Sequence, residues 1–153
     1  MSGDDAVARF VEQFALQLAD MGWPRMAARA FAAILVSDSG RRTASELAEV
    51  LQVSPAAVSG AVQFLTHLGL VVRDREPGSR RDHFQLYDDM WYVTITRQDN
   101  RMQMLEKGLQ EGIDAVGAGT PAGDRLAETR HFYAFMRQQL PRLIAEWERA
   151  RRA

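Results

Sequence analysis

The 153-residue sequence predicts a mainly α chain carrying a helix-turn-helix, a two-stranded β-ribbon and long helices at both ends. Three observations predict it. Apolar residues recur three and four positions apart over most of the length, the period of a helix with one buried face. The stretch T-A-S-E-L-A-E-V-L-Q-V-S-P-A-A-V-S-G-A-V-Q-F-L-T-H-L-G-L, from Thr43 to Leu70, divides into two short helices around a tight turn. Between Leu70 and Asp89 the apolar period changes to that of strands.

Val7, Phe10, Val11, Phe14, Leu18 and Met21 share one helix face, so residues 5–21 form a first helix, closed by Gly22. Trp23-Pro24 restarts the chain, and Met26, Ala27, Ala30, Phe31, Ile34 and Leu35 line a second helix that S-D-S-G at 37–40 ends. In the next pair, Leu47, Leu51, Val53, Val58, Val62 and Leu65 close a small core. Ser54 can accept a first-turn amide, Pro55 sits where no amide hydrogen is needed, and Gly69 provides a left-handed stop. Many such turns place glycine where this chain has Gln52. Either Gln52 bears a strain of about 1 kcal/mol at positive φ or the turn has another shape.

Val71, Val72 and Arg73 begin an extended run, E-P-G-S at 76–79 turns it, and His83 to Tyr87 alternates polar with apolar, completing a wing. Residues 91–116 return to helical spacing with Met102, Leu105, Leu109, Ile113 and Val116. A small-residue loop covers 117–123, and Leu126, Tyr133, Met136, Leu140, Leu143, Ile144 and Trp147 line the last helix. The expected division is 1–23 as an N-terminal dimerisation helix, 24–90 as a winged helix-turn-helix, and 91–153 as a helical dimerisation region. The apolar stripes at the two ends exceed what a winged core of about 60–70 residues can cover, which favours a dimer. The alternative is a monomer whose long helices fold back.

An apolar fraction of 46% with 25% charged residues is ordinary for a globular protein. No apolar run approaches the ~18 residues of a membrane span, and the acidic start lacks the order of a signal peptide. The absence of cysteine excludes disulfides and thiolate metal sites. A soluble, cytoplasmic protein without a membrane partner is expected. Three scattered histidines, with no Gly-rich phosphate loop, nucleophile elbow or H-E-x-x-H, predict no enzyme. Asp124, Glu128 and His131 share a helix face and can be spaced for a metal, but their ordinary reading is a solvated face. Neither metal nor cofactor is expected.

Net charge is −1, but its distribution is uneven. Residues 1–23 set Arg9 against Asp4, Asp5, Glu12 and Asp20, whereas 24–42 set Arg25, Arg29, Arg41 and Arg42 against Asp38. Lys107 is the only lysine among 19 basic residues. Arginine suits phosphate recognition, although genome base composition explains the same bias.

G-W-P-R-M-A-A-R at 22–29, L-A-E-V-L-Q-V-S-P-A-A-V-S at 47–59, L-G-L-V at 68–71 and P-G-S-R-R-D-H-F at 77–84 carry a resemblance to MarR-type winged-helix transcriptional regulators, closest to the GbsR-like branch. It covers residues 7–115. The resemblance implies a homodimer on a pseudo-palindromic operator of double-stranded DNA, often a repressor released by a small-molecule effector. The second helix of the motif departs from many relatives in having no Arg or Lys between Ser54 and Leu68.

The candidate DNA contacts follow from chemistry and spacing. Ser59, Gln63 and His67 lie four apart on one helix face; Gln can bond adenine at two points and Ser can bond base or phosphate. Ala56, Ala57 and Gly60 are small enough for close approach to a groove, and Ser54 opens the same helix. Thr43 and Ser45 open the preceding helix, where hydroxyls and free amides meet phosphate, although one of them can simply be the cap. Arg80 and Arg81 occupy the wing tip. Arg73 and Arg75, interleaved with Asp74 and Glu76, suit either phosphate or a cross-strand pair with Asp82. Trp23, Phe31, Trp91, Tyr92, Phe132 and Tyr133 supply either plain core or the wall of a ligand pocket. The rival from another class is a winged helix used only for protein–protein contact, which the uncharged second helix favours and the Arg80-Arg81 and Arg41-Arg42 pairs oppose.

Overall fold

The computed structural model describes residues 2–75 and 77–153. The chain divides into two units, one ending at Met90 and the other running from Trp91 to Ala153. The first contains α1 (Gly3–Asp20), α2 (Arg25–Leu35), β1 (Arg41–Thr43), α3 (Ala44–Leu51), α4 (Pro55–Leu68), β2 (Val71–Arg75) and β3 (Asp82–Leu86). The second consists of α5 (Met90–Val116, whose first residue closes the first unit) and α6 (Pro121–Arg152).

Helix α1 starts in a reciprocal cap. Ser2 Oγ accepts from the Asp5 amide and an Asp5 carboxylate oxygen accepts from the Ser2 amide, each at 3.3 Å. Its Val11, Ala15 and Leu18 are buried in the core shared with α2. Helix α2 is buried on more sides than one apolar stripe implies: Ala28, Ala32 and Ala33 are sequestered along with Ala27, Ala30, Phe31 and Ile34. It lies between α1 and the α3–α4 layer, so no broad face is left for solvent. Alanine at five of its positions lets neighbouring backbones approach closely. Trp23 packs against Phe31 and Phe64, with ring centroids 5.3 and 5.9 Å apart, and so belongs with the core aromatics.

The sheet has three antiparallel strands in the order β1-β3-β2, where the sequence pattern shows only the two of the wing. The extra strand, Arg-Arg-Thr, pairs Arg42 with Phe84 and Thr43 with His83. Three residues with two arginines carry no readable alternation, and pairing with β3 alone makes the segment a strand. On the other side Val71 pairs with Leu86 and Arg73 with Phe84. Val71 and Phe84 are buried, tying the root of the wing to the helices. Glu76, part of the expected wing turn, lies outside the described residues; Pro77 and Gly78 continue that turn.

In the second unit α5 and α6 run antiparallel. Arg137 pairs with Glu106 at 2.6 Å, Arg130 donates to Gln110, and Leu126 lies beside Gly112. The hydrogen bond to Glu106 holds the Arg137 guanidinium pKa above its ordinary value. The expected loop over 117–123 is shorter than the sequence reading. Thr120 caps α6 by accepting from the Gly123 amide at 3.0 Å, and Pro121 follows at the first helical position. Gly123 therefore stands in the first turn, where a Cβ would collide with the Gly117 carbonyl.

Candidate nucleic-acid interface

The second motif helix, α4, is cut as the sequence reading expects. Ser54 Oγ accepts from the Ala57 amide at 3.2 Å, Pro55 takes the first position, and Gly69 closes the helix at φ 84°. Val58, Val62 and Leu65 are almost completely buried. Ser59, Gln63 and His67 are exposed on a common face, together with Ala56 and Gly60. Packing thus fixes the rotation of α4 and presents a narrow polar row with two small residues at its N-terminal end. That row offers hydroxyl, amide and imidazole groups and no fixed positive charge.

Gln52 resolves the either-or of the turn. It adopts φ 54°, ψ 52°, the left-handed region, and is the only non-glycine residue with positive φ among the described residues. The turn has the geometry for which glycine is usually chosen, and Gln52 bears it.

The expected contacts around the motif separate into exposed and engaged groups. Thr43 is 5% exposed and its Oγ1 accepts from the Glu46 amide at 3.1 Å, so it is the cap of α3. It is also the last residue of β1 and is buried, whereas Ser45, two residues later, is exposed. Arg73 is 3.5 Å from Asp82 and stands over the Phe84 ring; Arg75 reaches the same carboxylate at 3.0 Å. Asp82 is the cross-strand partner of both arginines. Both remain largely exposed, with one carboxylate shared between two guanidiniums. Arg80 and Arg81 are exposed and enter no ion pair among the described residues. Of the Arg41-Arg42 pair, Arg42 is half-buried with Nε donating to the Ala33 carbonyl at 2.7 Å, which makes it a tie between β1 and α2.

One arginine of the site's support escapes sequence reading. Arg29, inside G-W-P-R-M-A-A-R, donates through Nε and Nη2 to the Glu12 carboxylate at 2.8–3.1 Å. Its Nη2 also donates to the Leu51 carbonyl at 2.9 Å. The partners are 17 and 22 residues away, beyond the reach of local patterns. The only available signal was the contrast of an acidic first helix with a basic second one.

Among the described residues no group of His, Asp or Glu is arranged to hold a metal ion, and no helix is long and apolar enough to cross a membrane. Comparisons with known proteins agree with the winged architecture. Residues 21–82 match the model of the MarR family, and residues 89–151 match that of the MmpR5-like MarR family transcriptional regulators. The chain is 28% identical over 137 residues to the HTH-type transcriptional regulator MmpR5 of Mycobacterium tuberculosis, covering 89% of this chain and 83% of that protein. A crystal structure of a transcriptional regulator, 26% identical, superimposes with a TM-score of 0.86 over 94% of this chain and 99% of its own. The family and these relatives are regulators rather than enzymes. With a capped second motif helix, a wing rooted in the core and residues 21–82 and 89–151 both matched, the chain belongs to the MarR family of DNA-binding transcriptional regulators.

Proposed function

We propose that this regulator binds a pseudo-palindromic operator as a homodimer, reads bases with Ser59 and Gln63 of α4, and grips phosphate with Arg80 and Arg81. The observation that carries the reading is the division of α4 into a buried apolar face and an exposed polar one. Ala56 and Gly60 give the close approach that short side chains need, His67 extends the row, and Ser45 and Ser54 supply hydroxyls for backbone contacts. Arg73 contributes only where phosphate displaces Asp82. The homodimer is supported by apolar side chains left at the surface, Val7 and Phe10 on α1 and Leu143 and Trp147 on α6. Release by a small ligand rests on the family alone, and a GbsR-like kinship rests on the segments at 22–29 and 77–84. A ligand would act by favouring a dimer whose two reading helices no longer match the half-site spacing.

Binding isotherms on a duplex enriched from a random pool, and on random duplex, across a salt series test the division of labour. Arg80→Ala and Arg81→Ala should each weaken both duplexes and flatten the salt dependence by about one unit of slope per phosphate contact. Gln63→Ala should cost about 1–3 kcal/mol on the enriched duplex and little on random DNA, at unchanged slope. Retention of the preference by Gln63→Ala, with its loss in the wing variants, would move base reading from α4 to the wing. A wild-type chain with no salt-dependent affinity for either duplex would favour the protein-contact reading, for which the absence of charge on α4 speaks.

A further inference from the structure

Arg29 joins three elements at one point. Its side chain leaves α2, is 18% exposed, and holds the Glu12 carboxylate of α1 through two nitrogens. The nitrogen that bonds Glu12 at 2.8 Å also bonds the Leu51 carbonyl at 2.9 Å. Leu51 is the last residue of α3, and the next residue is Gln52 in its left-handed conformation. The guanidinium therefore grips the backbone immediately before the strained hinge from which α4 departs. Lysine lacks the planar fork needed to serve both acceptors in this geometry. The carbonyl is at a helix C-terminus, where a positive charge is favourable.

We propose that Arg29 is a positioning residue for DNA reading: by tying α1 to the α3–α4 turn, it sets the attitude of α4 against the groove. The inference rests on α4 being the base reader. A small rotation at Gln52 is carried along the helix to Ser59 and Gln63, and bidentate base contacts are intolerant of misplacement. Wing contacts to phosphate lie on another element and do not depend on this tie.

The test measures affinity for an enriched duplex and for random duplex with Arg29→Gln, Arg29→Lys and Glu12→Gln, well below each protein's thermal midpoint and with the active fraction fixed by stoichiometric titration. Val11→Ala is the control, because Val11 is a buried α1 core residue outside the Arg29 fork. Arg29→Gln should reduce enriched-duplex affinity about tenfold while random-duplex affinity changes less than about twofold, as expected for loss of a charge-assisted hydrogen bond that acts on geometry. Arg29→Lys and Glu12→Gln should show the same loss of preference, smaller in size. Val11→Ala should lower the midpoint and keep the preference. A preference unchanged in all three fork variants, or lost equally in Val11→Ala, overturns the inference. A wild-type chain that enriches no duplex over random overturns the reading of α4, and the inference with it, before any variant is made. Should Arg29→Gln fail to fold, Arg29→Lys and Glu12→Gln decide.

Discussion

Up to Met90 the chain sequesters Ile34, Leu47, Val58, Leu65 and Val71 almost completely. From Trp91 onward, Ile113 is the one hydrophobic residue in the buried core among the described residues. Yet α5 and α6 span 27 and 32 residues and carry the larger share of exposed bulky side chains, including Trp91, Tyr92, Met104, Phe132, Phe135, Leu143 and Trp147. Two helices pack along only one seam, so each keeps a second apolar stripe that a hairpin cannot cover. The first unit has layers on both sides of α2 and closes its own core. One region buries its own core and the other leaves many of its bulky apolar side chains at the surface, where the proposed dimer would cover them, and the sharpest experiments treat them separately.

The largest effect should come from deleting 124–153. Removing most of α6 strips the second unit of its own pairing and of its proposed dimer face. Monomers or aggregates should result, and enriched-duplex affinity should fall by about 100-fold or more as two half-sites cease to be bound together. Sedimentation and binding isotherms read both effects. A soluble, folded dimer after the deletion would place dimerisation elsewhere, with α1 and its exposed Val7 and Phe10 as the obvious remaining surface.

A matched pair of substitutions sharpens the contrast. Leu65→Ala removes a fully buried side chain from the first unit and should cost about 2–5 kcal/mol, at any protein concentration. Leu143→Ala removes a side chain that is 56% exposed in the single chain. If a second copy covers it, the loss should appear as a weaker dimer, by about 1–3 kcal/mol, and as a thermal midpoint that rises with concentration more steeply than in wild type. Equal, concentration-independent losses for the two variants would mean that the exposed stripe is no interface.

Legibility in the sequence also differs between the regions, for physical reasons. Ser54-Pro55 and Gly69 delimit α4 because capping is local: the groups that interact are within four residues of one another. Thr120-Pro121 is the same kind of signal. It outweighs the glycine-rich surroundings that suggest a loop to residue 123, since a satisfied first-turn amide counts for more than composition. The strand β1 and the Arg29 tie were not legible, because each exists only through partners distant in sequence. Among candidate contacts, helical spacing sufficed to put Ser59, Gln63 and His67 on one exposed face. It could not show that Thr43 is covered or that Arg73 already has a carboxylate, since both depend on how the sheet pairs.

The smallest effect concerns the one non-glycine residue of the first unit that has positive φ among the described residues. Gln52 lies at φ 54°, where a side chain costs roughly 1–2 kcal/mol relative to glycine. Gln52→Gly removes that cost but gives the unfolded chain more freedom, worth about 0.5–1 kcal/mol in the opposite direction. The difference is a net stabilisation of about 0.5–1 kcal/mol, confined to the first unit. Denaturant unfolding followed by Trp23 fluorescence, with Trp91 and Trp147 replaced, isolates that transition. Gln52→Ala is the control: it keeps the strained backbone and should gain nothing. Stabilisation by glycine alone identifies the backbone as the source. Equal gains in both variants would place the cost in the glutamine side chain, and a loss in Gln52→Gly would mean that the Arg29–Leu51 contact already holds this turn at little expense.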